Sequence, residues 1–194
     1  MNKTIKYLPC SVICHGECEL ILVKQVQGKR RRNLNPLARD NGKSSILINT
    51  INHYLEKHFP DKRTYIKTYR DLLFIDKDTG SIKNHKIFTI MDKDDAPDEL
   101  FESYMDKSLF NNYWWGKENL IEPIYFNPNM DVVLKNHGIK IDTSKHKPAQ
   151  YFRLLTTRYD EIISIFNNLS DKESNIKLLF EYLDKINEFE DKTK

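Results

Sequence analysis

The sequence is poor in the residues that build secreted, fibrous or membrane-spanning proteins. Its three cysteines, Cys10, Cys14 and Cys18, form a C-x₃-C-x₃-C run near one end, and an odd number so placed is a poor disulfide framework. Six glycines and seven prolines are too few for a collagen-like or linker-rich chain. No apolar run approaches the roughly 20 residues that a membrane helix needs. We therefore expect a cytoplasmic protein that does not bind membranes.

The cysteines and the N-terminal residues also lack the context that would give them a special role. No second Cys/His group follows at a spacing typical of zinc sites, and Cys10 and Cys14 lie in an apolar run, which favours buried, unreactive thiols over a catalytic one. The first residues carry positive charge, but Pro9 and His15 interrupt the apolar stretch after them. This pattern predicts a first strand and not a signal peptide.

The composition supports a packed core in one domain that spans residues 1–194. Hydrophobic residues make up 39% of the chain, with ten Tyr, ten Phe and two Trp, so disorder is not expected. The formal net charge of +3 is too small to indicate nucleic-acid binding by itself, so a local basic cluster would be more informative.

Strand-like and helix-like segments alternate along the chain. This order predicts an α/β fold with a mainly parallel sheet and helices on both faces, followed by C-terminal helices. We expect the sheet-containing core over about 6–137 and a helical part over about 147–190; residues 65–76 are ambiguous. The predicted strands are 6–14, 86–91 and 120–126, and the predicted helices are 17–27, one containing 46–59, one beginning at 97, 130–136, about 148–168 and about 174–188.

Acidic turns follow two of the predicted strands. Asp92-Lys93-Asp94 comes directly after the apolar run 86–91, and Glu17 and Glu19 follow the first strand. In a parallel sheet, ligands bind beyond the carboxyl ends of the strands, and Mg²⁺ prefers hard oxygen donors. The pattern therefore predicts a divalent-metal site if these strands are neighbours. A D-x-D alone is a weak motif, and a solvated acidic turn that caps a helix is the alternative.

Three separated motifs resemble those of the Toprim domain, the metal-binding α/β unit of topoisomerases, primases and several nuclease families. The likeness is closest to the RloB-like and OLD-type Toprim nucleases of bacterial phage defence. Their first strand ends in an acidic residue, Gly, two variable residues and a second acidic residue, matched here by His15-Gly16-Glu17-Cys18-Glu19. The Toprim D-x-D is matched by Asp92-Lys93-Asp94, and an N-P motif by Asn127-Pro128 with Asp131 soon after.

The resemblance implies roles for these residues. Glu19, Asp92 and Asp94 would hold one or two Mg²⁺ or Mn²⁺ ions, and Asp131 would complete the site. The family's first glutamate falls on His15, which can bind a metal or take a proton near neutral pH. This change favours Mn²⁺ or Zn²⁺ over Mg²⁺. Glu17, two residues further on, is an alternative replacement, and a turn histidine bonded to backbone is another interpretation of His15.

Basic residues supply candidate contacts to nucleic acid. The run Lys29-Arg30-Arg31-Arg32 is the best candidate for a phosphate-binding patch, with a solvated loop as the alternative. Lys145 or Lys147 could neutralise a transition state, although a solvated lysine is the more common outcome. Tyr113-Trp114-Trp115-Gly116 could stack on bases, but we favour packing there.

Three functions remain open from the sequence. The first is a metal-dependent nuclease that cleaves DNA or RNA in phage defence and could form a homo-oligomer or act with an ATPase or a restriction-system partner. The second is a catalytically impaired Toprim-like module that binds nucleic acid or protein and acts with a partner ATPase. The third is another Mg²⁺-dependent phosphoryl-transfer enzyme in which Asp92 is the phosphoacceptor.

Overall fold

A parallel sheet of four strands forms the centre of the molecule. The computed structural model describes residues 7–142 and 146–192, and the side chains of these except 95 and 187–192. The sheet has the order β2-β1-β5-β6 with every pair parallel, and a separate two-stranded antiparallel hairpin pairs β3 with β4. The predicted α/β architecture is therefore confirmed. The strands are β1 (Cys10–Cys14), β2 (Asn35–Leu37), β3 (Phe74–Ile75), β4 (Ile82–Lys83), β5 (Lys86–Asp92) and β6 (Ile121–Phe126).

Helices cover both faces of this sheet. The helix predicted over 130–136 has those bounds, whereas the C-terminal part contains three helices in place of the expected two, because a break at Arg158 divides the first. None of the helices in the described ranges is long and apolar enough to cross a bilayer. They are α1 (Glu17–Arg30), α2 (Ile51–His58), α3 (Lys62–Thr68), α4 (Asp98–Met105), α5 (Trp114–Lys117), α6 (Met130–Asn136), α7 (Lys147–Thr157), α8 (Tyr159–Asn167) and α9 (Lys177–Lys192).

Two hydrophobic cores lie on opposite faces of the sheet. Successive strand residues point to opposite faces, so Val12 and Phe88 enter one core while Ile13 and Ile87 enter the other. The first core is closed by α1 and α6 to α9, and the second by α2 to α5. Because both faces are covered, the strands are apolar along their whole length rather than alternating.

The strand order creates a switch point between β1 and β5. From β1 the chain passes through α1 on the first face to β2, and then returns through α2 and α3 on the second face to β5, on the other side of β1. Helices that leave neighbouring strands toward opposite faces open a crevice at the carboxyl ends of those strands. The turns after β1 and β5 both border this crevice.

The segment before α9 covers the outer edge of β6. The Asn175 side chain accepts a hydrogen bond from the Tyr125 backbone N–H (3.0 Å) and donates one to the Pro123 carbonyl (2.9 Å). The Asn127 N–H donates to the Glu173 carbonyl at 2.8 Å. Side chain and backbone together therefore satisfy polar groups that an edge strand would otherwise leave unpaired.

Candidate functional site

A polar pocket of about 240 Å³ lies at the carboxyl edge of the sheet. Its walls come from the turn after β1, the loop around Gly42, the end of β5 and the first residues of α6 and α7. The side chains with acid–base or metal-binding chemistry that line it are His15, Glu17, Cys18, Glu19, Asp92, Asp131 and Lys147.

The His15 ring is held in one orientation by backbone groups. The backbone N–H of His15 donates to the Ile90 carbonyl (2.9 Å), and the backbone carbonyl of His15 accepts from the Ile46 N–H (2.8 Å). Nδ1 lies 3.1 Å from the Ile46 carbonyl oxygen, which can only accept, so Nδ1 carries a proton. Nε2 then faces Asp92 Oδ2 at 3.9 Å. His15 is thus a turn residue hydrogen-bonded to the backbone, as one interpretation of the sequence expected, and it also lines the pocket.

Glu19 has a structural contact as well as a place in the pocket. Its Oε2 accepts the backbone N–H of Gly16 at 3.0 Å, which is half of a capping box at the start of α1. The side chain is buried, and desolvation raises its pKa, while the neighbouring His15 acts in the opposite direction. A cation in the pocket would favour the ionised form that burial disfavours.

Gly42 closes the pocket wall over the first turn of α1. Its φ is +89°, and a Cβ at this position would lie 2.5 Å from the Cα of Glu17. Only glycine combines this backbone conformation with so close an approach. The contact fixes Glu17, which is half-buried at the pocket rim.

The structure separates the two aspartates of the D-x-D motif. Asp92 ends β5 and lines the pocket, whereas a 3₁₀ turn over Lys93–Asp95 turns Asp94 outward. Asp94 is exposed, and its Oδ2 accepts from Asn129 Nδ2 at 2.6 Å. Asp94 therefore does not line the pocket with Asp92. The turn is tied instead to the N-P motif, since the Pro128 carbonyl accepts the N–H groups of Lys93 (2.9 Å) and Asp94 (3.1 Å).

Asp131 enters the pocket from the first turn of α6, and both of its oxygens are bonded. Oδ2 accepts from Lys147 Nζ at 2.5 Å and Oδ1 from the Tyr151 hydroxyl at 2.7 Å. This contact raises the pKa of Lys147, and burial followed by the Asp131 charge raises that of Tyr151. Tyr151 was missed from the sequence because its spacing marks only an apolar helix face, and nothing local reveals where its hydroxyl points.

The oxygen atoms that line the pocket are of the type that binds divalent cations, but their side chains are not arranged around a common point. Glu19, Asp92 and Asp131 supply hard oxygen donors from segments that follow three adjacent strands. Within the described ranges, however, no three His, Cys, Asp or Glu side chains lie close enough together to hold an ion. Lys147 now supplies the positive charge beside Asp131, so an ion that binds Asp131 must displace it.

The predicted basic patch lies away from this pocket. Lys29 and Arg30 are in the last turn of α1, about 20 Å from the first turn that borders the pocket. The Arg30 guanidinium pairs with Asp184, and Lys29 lies 5.7 Å from the Tyr159 ring centre. Arg31 and Arg32 follow directly and cannot line the pocket either. Lys145 lies outside the described residues.

The remaining candidates are structural. Cys10 and Cys14 are buried, as predicted, all three thiols are unbonded to one another, and burial raises their pKa. Trp115 is buried, and the Trp114 indole N–H donates to the Phe59 carbonyl at 2.8 Å. Packing is therefore the role of this aromatic run.

Comparisons with models of protein families, with curated proteins and with solved structures found no match to this chain.

Proposed function

We propose that the protein is a divalent-metal-dependent nuclease of the Toprim type, with its active site in the pocket at the carboxyl edge of the sheet. The observation that carries this proposal is the convergence of Glu19, Asp92 and Asp131 beside His15 and Lys147. The three carboxylates come from segments that follow the adjacent strands β1, β5 and β6, at the switch point where such folds bind ligands.

Glu19, Asp92 and Asp131 would have to move closer together to hold Mg²⁺ or Mn²⁺, which would supply an activated water and neutralise charge on a scissile phosphate. His15, with its proton fixed on Nδ1, presents Nε2 to the pocket, where it would accept a proton from the attacking water. Lys147 lines the same pocket and, once released from Asp131, would balance the charge that develops on the phosphate.

A cleavage assay tests this proposal directly. Plasmid, single-stranded DNA and total RNA are incubated with Mg²⁺, Mn²⁺ or EDTA and the purified protein. We expect metal-dependent cleavage that falls at least about 100-fold in Asp92→Asn, because this variant loses a pocket carboxylate. Asp94→Asn is the matched control, since its carboxylate points outward, and it should retain most activity. Equal losses in both variants, or cleavage unaffected by Asp92→Asn, would contradict the assignment of the pocket.

One contact favours a second candidate, a binding module without turnover. The pair between Lys147 and Asp131 already neutralises a carboxylate, and His15 stands where the family has a glutamate. If the pocket is impaired, the natural chain cleaves nothing in any metal, and His15→Glu creates activity. If it is active, His15→Glu leaves cleavage similar or shifts the preferred metal toward Mg²⁺. A role in phage defence and an ATPase partner rest on the motif resemblance alone.

A further inference from the structure

A second, larger groove of about 810 Å³ lies between the end of α6 and the outer face of α7. Lys135 of α6 forms one wall. The other wall comes from His146, Gln150 and Arg153, which with Ala149 are spaced as one face of a helix. The Gln150 amide holds Asp142 against α7, because it accepts from the Asp142 N–H (2.9 Å) and donates to the Asp142 carbonyl (2.7 Å).

The groove is basic, and its cations are available to a ligand. Lys135, Lys140 and Arg153 are exposed, and none of them forms an ion pair with an acidic side chain in the described part of the chain. Other cations of this region differ, since Lys147 is paired with Asp131 and Arg158 with Glu161. Asp142 also lines the groove, and three cations against its one carboxylate leave a net positive charge that attracts a polyanion.

Helix α7 also carries an exposed aromatic ring next to a residue that lines this groove. Phe152 is 56% exposed, the most exposed large hydrophobic side chain in the described ranges. It lies three residues after Ala149, so the two are neighbours on the surface of α7. A basic groove flanked by an exposed ring is the combination that binds unpaired nucleotides, because the cations hold phosphates and the ring stacks on a base.

The groove and the pocket share the helix pair α6 and α7. The first turn of α6 carries Asp131 into the pocket, and its last turn carries Lys135 into the groove, about 6 Å further along the helix axis. His146 lines the groove, and the next residue, Lys147, lines the pocket. A nucleic-acid strand bound in the groove would therefore extend toward the carboxylates of the pocket.

We propose that this groove binds the phosphate backbone of a single-stranded nucleic acid, with one base stacked on Phe152. The proposal rests on the proposed nuclease function, because it specifies the class of substrate on which that nuclease would act. Unpaired bases are required because duplex stacking hides the base faces that the ring would contact. Binding itself does not depend on catalysis and can be measured without metal.

Fluorescence anisotropy in EDTA tests the groove with labelled oligonucleotides of about 16 nucleotides, as single-stranded DNA, single-stranded RNA and duplex. The groove variant carries Lys135→Gln, Lys140→Gln and Arg153→Gln. The control variant carries Lys57→Gln, Arg63→Gln and Lys67→Gln, which removes the same charge from exposed positions of α2 and α3 on the other face of the sheet. Circular dichroism confirms that each variant is folded.

We expect the wild-type protein to prefer single strands, and the groove variant to lose at least about tenfold in affinity. The slope of log affinity against log salt should fall by about 2, for three lost contacts with a single strand. Phe152→Leu should weaken binding about fivefold or more, whereas Phe152→Trp should preserve it. Comparable losses in the groove and control variants would overturn the proposal, as would a wild-type protein that binds no single strand or prefers duplex.

The two proposals fail separately. Binding through the groove with no cleavage in any metal would reject the nuclease function and leave the groove assignment standing. Metal-dependent cleavage with unchanged binding in the groove variant would reject the groove assignment and leave the nuclease function standing. The ratio of the affinities for DNA and RNA then identifies which nucleic acid the groove accepts.

Discussion

His85 shows how a single buried residue can set the response of the fold to pH. Its Nδ1 lies 2.9 Å from the Leu8 carbonyl, so Nδ1 must donate, and Nε2 accepts from the Tyr65 hydroxyl at 2.6 Å. The Tyr65 oxygen in turn accepts from Ser11, whose Oγ accepts from Asn35 (3.1 Å). Every member of the chain is satisfied only while His85 is neutral.

We therefore expect acid to destabilise the protein through this histidine. Burial lowers the pKa of His85 from 6.5 to about 4. Below pH 6.5 His85 is protonated in the unfolded chain, whereas in the folded chain it stays neutral until about pH 4. The free energy of unfolding therefore falls as the pH is lowered from 6.5 to about 4. The gap corresponds to about 3 kcal/mol. Urea unfolding from pH 7 to 4 should show this loss in the wild type and a smaller one in His85→Gln, which can make similar hydrogen bonds.

His53→Gln serves as the control for that series, because His53 is exposed and has no such network. It should follow the wild-type curve. If His85→Gln loses stability toward pH 4 as steeply as the wild type, the neutral histidine is not the cause of the acid sensitivity.

At the residue scale, the sequence predicted which types of side chain matter but not their partners. His15, Glu19, Asp92 and Asp131 do line one pocket. The outward turn of Asp94 depends on Asn129 and on the Pro128 carbonyl, groups that are about 35 positions away in the chain. Local patterns cannot show such contacts, and the pairing of Lys147 with Asp131 was missed for the same reason.

At the scale of elements, β6 depends on the segment that covers its outer edge. The Asn175 side chain satisfies one N–H and one carbonyl of the strand, and the Ser174 hydroxyl donates to the Tyr125 carbonyl at 2.5 Å. These groups are buried, so water cannot replace the bonds. The strand that precedes Asp131 is thus stabilised by residues nearly 50 positions later.

Asn175→Ala should leave the Tyr125 N–H and the Pro123 carbonyl without partners. We expect a loss of about 2 kcal/mol or more in the free energy of unfolding, seen as a melting temperature lower by roughly 5 °C. Asn168→Ala removes an amide that is exposed and bonds only within its helix, at 2.7 Å from the Ser164 carbonyl. It should cost less than about 0.5 kcal/mol. Similar losses in the two variants would show that edge coverage contributes little.

Element positions were predicted where the boundaries are local. The bounds of α6 follow from Asn129, whose Oδ1 accepts the Val132 N–H at 3.1 Å, and from Gly138, which has φ of +82° just beyond the helix. The ambiguous segment 65–76 contains the end of α3 and the two-residue strand β3. Such short elements form because partners elsewhere hold them, so periodicity cannot predict them.

At the scale of the whole molecule, strand order decides whether the acidic turns meet. The sequence predicted strands that end in acidic turns, but adjacency was an assumption. The order β2-β1-β5-β6 makes β1 and β5 neighbours and places β6 beside them. Long-range packing of α2, α3 and the β3–β4 hairpin brings β5 back to β1, and no local signal in the sequence specifies that return.

A cation bound between these strand ends should stabilise the entire fold. At a concentration about 100 times its dissociation constant, a ligand that binds only the folded state adds about 2.7 kcal/mol. We expect Mg²⁺ or Mn²⁺ to raise the melting temperature of the wild type by several degrees and to do less for Asp92→Asn. Asp98→Asn, an exposed change outside the pocket, should respond as the wild type does. An unchanged wild-type melting temperature at every concentration would exclude an ion at this site.

Both edges of the sheet have a further consequence for how the protein meets other chains. On one side β2 is three residues long and contains Pro36, which has no N–H to donate, and on the other the segment before α9 already occupies the outer edge of β6. Neither edge is therefore a ready template for strand addition from a partner, another copy or an amyloid-like stack. Association along the sides of this sheet must then depend on side chains displayed by helices and loops, which makes its specificity open to change by single surface substitutions.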